Sequence, residues 1–103
     1  APAAIVVCAN KTKAWKRPFD GKITTDIDAS ILTDHMMLEA TELGLGSVWI
    51  CYFNPDILKE ELNLPENLEP VNILALGYSD ELDASAERHK DMRIGMDELV
   101  SYL

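Results

Sequence analysis

The sequence predicts an α/β or α+β fold, because short apolar segments rich in β-branched residues alternate with segments of helical pattern. It has 103 residues and no internal repeat, so we expect one domain over 1–103. The predicted strands are 3–9, 47–53 and 71–78, and the predicted helices are about 26–43, 55–63 and 96–100.

The first strand, "AAIVVCA", is a short apolar run that is typical of a buried strand. Residues 10–22 follow as a polar connection with a proline and an Asp-Gly turn signal. Thr25 and Asp28 then form a capping box that opens the long helix, although Asp replaces the usual Glu. Apolar residues occupy most of the circumference of that helix. We therefore expect it to be the centre of a larger fold or an oligomer interface.

Two glycines flank Leu45 directly before the second strand, and they raise the question of a phosphate-binding loop. A dinucleotide fingerprint or a P-loop follows a strand and opens a helix. Here Gly44 stands after a helix and before a strand, so the order is reversed and a glycine loop is excluded.

The remaining elements are marked by turn residues. Asn54 and Pro55 form an N-cap and first-position pair for the short helix. Residues 64–70 are a turn-rich link before the third strand. The polar tail is expected to be loop-like as far as Arg93.

The charge of the chain limits its partners. A formal net charge of −9 argues against a nucleic-acid-binding protein, which needs a basic surface. The few basic residues are bunched between Lys11 and Arg17 and again between Arg88 and Arg93. A small anionic ligand therefore remains compatible with the sequence.

Nothing in the sequence indicates a signal peptide or a membrane helix, so we expect a cytoplasmic protein.

Cys8 and Cys51 are not in a CxxC pair, and we expect two buried thiols in a reducing compartment. Two cysteines and two histidines at no ligand spacing do not predict a metal site. His35 is interpreted as a packed or interface residue, with a catalytic proton donor as the alternative.

An ordered set of segments resembles the second half of the nitroreductase family of FMN-dependent oxidoreductases. The segments are "APAAIVVCA", "AWKRPFDGK", "DIDA", "LGLGSVWI", "FNP", "LNLPE", "EPVNILALGY" and "DELVSY". Phe19 stands where the family commonly has tyrosine. The resemblance implies an α+β fold with a mixed, mainly antiparallel sheet flanked by helices.

The resemblance also implies a flavin site. Cys51 and Tyr52 would offer backbone N–H groups to the flavin ring, with Ile50 packed nearby. The cations of the tail would contact the FMN phosphate, and these are Arg88, Lys90 and Arg93. The alternative for the tail is a solvated basic cluster that offsets neighbouring acidic residues. No catalytic side chain is assigned.

The implied activity is ping-pong reduction of a nitroaromatic or quinone-type acceptor by NAD(P)H, with FMN held between two subunits of a homodimer. The family's amino-terminal "RRSxR" segment has no counterpart here, so the chain is expected to be a carboxy-terminal half. The alternative function is therefore a non-catalytic fragment that folds by oligomerisation or with a missing amino-terminal partner.

Overall fold

The structure is a computed structural model that describes residues 1–80 and 83–103. Within these ranges the chain forms three strands and four helices. The elements in chain order are β1 (Ala3–Asn10), α1 (Thr25–Glu42), β2 (Gly46–Ile50), α2 (Pro55–Glu61), β3 (Leu68–Gly77), α3 (Arg88–Met92) and α4 (Met96–Leu99).

The three strands form one sheet in the order β1-β3-β2. Both neighbouring pairs are antiparallel, so the last strand in the chain lies at the centre of the sheet. Helix α1 packs on one face of the sheet and contacts all three strands, while α2 contacts β3. This α+β arrangement confirms the predicted fold class and its antiparallel sheet.

Strand β3 begins three residues before its predicted start, and the predicted turn-rich link over 64–70 is correspondingly too long. The strand was predicted to start after Pro70, because proline cannot donate a backbone hydrogen bond within a sheet. The structure accommodates it with an irregularity opposite Val7 and Cys8, where the partner changes from Asn72 to Pro70. A β-bulge of this kind admits proline into a strand.

The predicted capping box is wrong, whereas the predicted end of α1 is confirmed. Thr24 is the N-cap and makes no side-chain capping bond, so Thr25 is already the first helical residue. At the other end, Gly44 has φ of +76°, and its N–H donates to the Thr41 carbonyl at 3.0 Å. Together with a 2.8 Å bond from Leu45 N to Ala40 O, this is a Schellman motif that ends the helix.

The core between α1 and the sheet is small and contains a polar pair. Thr33 of α1 and Asn72 of β3 are both fully buried. Asn72 Nδ2 donates to Thr33 Oγ1 at 3.0 Å, and the Thr33 hydroxyl lies 2.8 Å from the Ala29 carbonyl that it bonds. Leu74, also fully buried, is on the same face of β3. The hydrogen bonds therefore fix α1 on the central strand of the sheet.

Much apolar surface remains uncovered. Ile27, Ile31 and Leu38 of α1 are each more than half exposed. The accessible surface is 8628 Å², against about 5,800 Å² for a compact folded chain of this mass. The radius of gyration is 17.3 Å, against about 13 Å for a compact domain of this length. Apolar residues of α1 are therefore exposed on sides that this chain does not cover. This agrees with the expectation of a helix that packs against more than its own sheet.

The tail differs from its prediction in one respect. Residues as far as Arg93 were expected to be loop-like, but Arg88–Met92 form α3. The sequence signal is weak because the helix has one turn and no apolar periodicity. A pair between Glu87 and Lys90, three residues apart, favours the turn. The predicted short helix near the end is confirmed as α4.

We expect the Thr33→Val substitution to lower the free energy of unfolding by about 1–3 kcal/mol, because it leaves the buried Asn72 amide without its partner. Urea denaturation measures the change. The matched control is Thr41→Val, since Thr41 makes a similar bond to the Met37 carbonyl but is exposed. Equal destabilisation by the two substitutions would contradict the role given to the Thr33–Asn72 pair.

Candidate functional site

The first group of predicted site residues lies where β2 leaves the sheet. Ile50 is the last residue of β2, and it is opposite Ile73 of the central strand. Cys51 and Tyr52 follow outside the strand, and both are exposed, Tyr52 completely. The backbone of this segment is therefore accessible from outside the described fold.

Local hydrogen bonds determine how this segment turns into α2. The Cys51 carbonyl accepts a bond from Phe53 N at 3.1 Å. The Asn54 side chain then accepts bonds from the N–H groups of Asp56 and Ile57, at 3.0 and 3.3 Å. With Pro55 as the first helical residue, this confirms the predicted N-cap pair. The segment is thus held at both ends, by the sheet and by the cap.

The side chain of Ile50 lies on the sheet face away from α1. Side chains alternate along a strand, and Asn72 and Leu74 face the helix, so Ile73 faces the other way. Ile73 is paired with Val6 on one side and Ile50 on the other. These three half-buried residues form an apolar row on the open face of the sheet, beside the exposed segment.

The expectation of two buried thiols is wrong. Cys51 is exposed, because the chain has left the sheet at that point, and Cys8 is only partly buried beside the β1 irregularity. Burial, with a smaller effect of the Glu69 charge, raises the pKa of the Cys8 thiol. Cys8 is therefore a protonated thiol at neutral pH and a weak nucleophile.

The second predicted group, the cations of the tail, occupies three different environments. Arg88 Nη1 donates to the Ser85 and Ala84 carbonyls at 2.8 and 3.3 Å. Lys90 forms an ion pair with Glu87. Arg93 directly follows α3 and has no hydrogen bond or ion pair within residues 1–80 and 83–103. Of the three, Arg93 has the most available charge.

His89 is a member of this basic cluster that the sequence interpretation missed. The positive charge of Arg93, then loss of hydration and the charge of Arg88, hold the pKa of His89 below its ordinary 6.5. The sequence signal was its position between Arg88 and Lys90. The neighbouring positive charges therefore disfavour protonation of His89, and an anion bound beside them would favour it.

The structure does not bring the two predicted groups together. Helix α3 packs against no other helix or strand of the described chain, and so not against β2, which ends at Ile50. The roles predicted for both groups remain predictions. His35 is exposed on α1, which contradicts packing within this chain and leaves the interface interpretation untested.

Two other features, a metal site and a membrane-spanning helix, are absent from the described residues. No three His, Cys, Asp or Glu residues within 1–80 and 83–103 are grouped as a metal site requires. None of the helices in the same ranges has both the length and the apolar character needed to cross a bilayer.

We expect Asn54→Ala to lower the free energy of unfolding by about 1 kcal/mol, because the first N–H groups of α2 lose their acceptor. Asn54→Asp is the control, since its carboxylate accepts the same bonds. Urea denaturation compares the two variants. If Asn54→Asp is as destabilising as Asn54→Ala, the capping bond does not hold the segment.

We expect His89 to titrate below pH 6.5 in the folded chain, and Arg93→Gln to raise its pKa more than Arg88→Gln does. Because protonation is disfavoured only in the folded state, this group should reduce stability as the pH falls below 6.5. NMR titration of the imidazole measures the three midpoints. A larger shift in Arg88→Gln would contradict the arrangement around His89.

Comparison with known proteins gives the family of the chain. Residues 1–78 match the model of the nitroreductase family. An Archaeoglobus fulgidus protein, named as a candidate NADH dehydrogenase/NAD(P)H nitroreductase, is 40% identical over 88 residues. That match includes 81% of this chain and 48% of the relative, so the chain spans about half the length of this curated relative.

Solved structures agree with the family match. A nitroreductase family protein from Clostridium difficile 630 superposes with a TM-score of 0.93 and 64% identity, over 99% of this chain and 59% of that one. An FMN-dependent nitroreductase from C. difficile R20291 gives a TM-score of 0.69 and 32% identity, over 91% of this chain and 57% of that one. The fold, its sheet order and the family match lead to one conclusion: this chain belongs to the nitroreductase family.

Proposed function

We propose that the protein is an FMN-dependent oxidoreductase that uses NAD(P)H to reduce nitroaromatic or quinone-type acceptors in a ping-pong cycle. The observation that carries the proposal is the accessible backbone after β2, in a fold that superposes on an FMN-dependent nitroreductase. The names of relatives support NAD(P)H as the donor. FMN would supply the hydride chemistry, while the protein binds and orients it.

In this proposal the segment after β2 holds the flavin ring. The N–H groups of Cys51 and Tyr52 would donate to ring acceptors, where they stabilise the negative charge that builds on reduction. The side chain of Ile50 would pack against the apolar ring from the open face of the sheet. Exposure of Cys51 and Tyr52 fits this role, because no described side chain covers the approach to Tyr52.

The tail would hold the FMN phosphate. Arg93 has no partner among the described residues, 1–80 and 83–103, and is the principal candidate, since a guanidinium can donate two hydrogen bonds to one phosphate. Arg88 and Lys90 contribute positive charge, but each already has a partner. His89 would gain a proton more readily once the dianion is bound, because the phosphate offsets the neighbouring cations.

A homodimer is part of the proposal. The exposed apolar residues of α1 and the open face of the sheet supply surface of the kind that permanent interfaces bury. The surface in excess of a compact chain is about 2,800 Å², so two such chains together expose about 5,600 Å², which is at the upper end of the total area that obligate interfaces bury.

We expect Arg93→Gln to raise the dissociation constant of FMN about tenfold, because one charge-assisted contact to phosphate is lost. Riboflavin has the same ring and no phosphate, so its affinity should not change. Fluorescence quenching of each flavin on titration with protein measures both constants.

The control for this experiment is Lys90→Gln. Lys90 is already paired with Glu87, so its substitution should weaken FMN binding less than Arg93→Gln does. Equal loss of FMN and riboflavin affinity in Arg93→Gln would show that Arg93 acts on the fold and not on the phosphate.

The second candidate function is a non-catalytic chain that folds by oligomerisation. The extent of uncovered apolar surface favours it. Under this candidate the purified protein would form a stable oligomer and fail to bind either flavin in the titration above. Flavin binding with NAD(P)H-dependent reduction of an acceptor would rule it out.

A further inference from the structure

Positive charge is concentrated in residues 11–22, a turn followed by a hairpin that the Lys16–Ile23 bridge closes. Five of the nine lysine and arginine residues lie between positions 11 and 22, with Asp20 as the only acidic residue there. This segment therefore carries +4, whereas the other 91 residues carry −13 to give the total of −9. The segment attracts a small anion even though the whole chain repels an extended polyanion.

Internal bonds hold this hairpin in one conformation. Arg17 N donates to Lys22 O at 2.9 Å, and Gly21, with φ of +72°, donates to Arg17 O at 2.8 Å. The Arg17 side chain makes two bonds to Asp20, at 2.8 and 2.5 Å, and these hold the pKa of that carboxyl below its usual value. Arg17 and Asp20 offset each other, so the lysines supply the free positive charge.

At the base of the hairpin lies a depression of about 260 Å³ between β1 and the start of α1. Lys13, positioned by a bond from its N–H to Asn10 O at 3.3 Å, lines one part of it. Asp28, in the first turn of α1, lines another. The rest of the lining is partly apolar, from Val7, Ala9, Ala29 and Leu32, and partly from Cys8, Asn10 and Thr25.

The size and charges of this depression restrict its ligand. Sites for whole drug-sized ligands have volumes of about 300–1,000 Å³, so this depression suits one end of a dinucleotide. In the dinucleotide sites of doubly wound folds, an acidic side chain bonds the ribose 2′-hydroxyl of NAD, and a basic side chain accommodates the 2′-phosphate of NADP. The fold here is different, but a hydroxyl and a phosphate call for the same acceptor and the same positive charge in any fold. Asp28 provides an acidic side chain and Lys13 a basic side chain in the same depression.

We propose that this depression binds the adenosine end of NAD(P)H, with Lys13 contacting the 2′-phosphate of NADPH and Asp28 contacting the ribose 2′-hydroxyl of NADH. This inference rests on the proposed function, in which NAD(P)H is the electron donor. The reactive nicotinamide is at the opposite end of the dinucleotide, so the depression does not need to touch the flavin. Lys13 and Asp28 together set the preference between the two donors.

The test is the KM for each donor in the FMN-loaded protein. Lys13→Gln should raise the KM for NADPH about three- to fivefold and leave that for NADH within about twofold, since an exposed charge contact is lost. Asp28→Asn should raise the KM for NADH and leave that for NADPH unchanged or lower. The kcat should remain unchanged in both variants, because the contacts are remote from the reacting ring.

Lys22→Gln is the matched control. It removes the same charge from the same basic segment, residues 11–22, but Lys22 does not line the depression. A general electrostatic effect would change both donors equally in Lys13→Gln and Lys22→Gln, and that result would overturn the inference. Parallel KM changes for NADH and NADPH in Lys13→Gln would do the same.

A second measurement separates this inference from the proposed function. Adenosine 2′,5′-bisphosphate and adenosine 5′-monophosphate carry the adenosine end without nicotinamide, so their binding, measured by calorimetry, requires no flavin chemistry. Tighter binding of the bisphosphate that is lost in Lys13→Gln supports the depression as the site. Flavin-dependent activity with no binding of either nucleotide, or no effect of Lys13→Gln, overturns the inference and leaves the proposed function intact.

Discussion

The structure depends on one constraint: α1 is apolar around most of its circumference, and a three-stranded sheet covers only one side of it. On the covered side, Thr33 of the helix is hydrogen-bonded to Asn72 of the central strand, and Leu74 of that strand is buried on the same face. These contacts fix the helix on the central strand. The other side leaves apolar residues such as Ile31 and Leu38 exposed. Because exposed apolar area is costly in water, the outer side of the helix is suited to packing against further polypeptide.

The same constraint connects the fold to the proposed flavin site. Ile50 and its cross-strand neighbours face away from α1, on the second uncovered surface of the sheet. The segment that follows is fixed by the sheet and by the Asn54 cap, so its backbone is preorganised although its side chains are exposed. A site of this kind is completed by a surface from outside the described fold, which is consistent with a flavin held between subunits.

The sequence predicted the elements whose signals are local. Apolar runs predicted the three strands, and Gly44 and Asn54 predicted the ends of α1 and the start of α2. Prediction failed where the outcome depended on residues distant in the chain. Pro70 lies within β3 because an irregularity in the β1–β3 pairing, where Val71 is left without a partner in β1, admits it.

The buried polar pair shows the same limit for the core. It joins positions 33 and 72, which are 39 residues apart, so nothing local predicted it.

The candidate site was predictable in part for the same reason. Family segments pointed to the residues after β2 and to the cations of the tail. They did not distinguish Lys90, which is paired with Glu87, from Arg93, which has no partner within the described residues. That distinction depends on which neighbour each side chain contacts. The exposure of Cys51 likewise depends on where β2 ends, which an uninterrupted apolar run does not indicate.

Native mass spectrometry of the purified protein, supplied with FMN, tests the central claim most directly because it counts chains and flavins together. The account predicts a complex of two chains of 11.5 kDa each with bound FMN, since the apolar surfaces of α1 and the sheet require a partner. A folded single chain without flavin, at concentrations where circular dichroism shows native helix content, would contradict it.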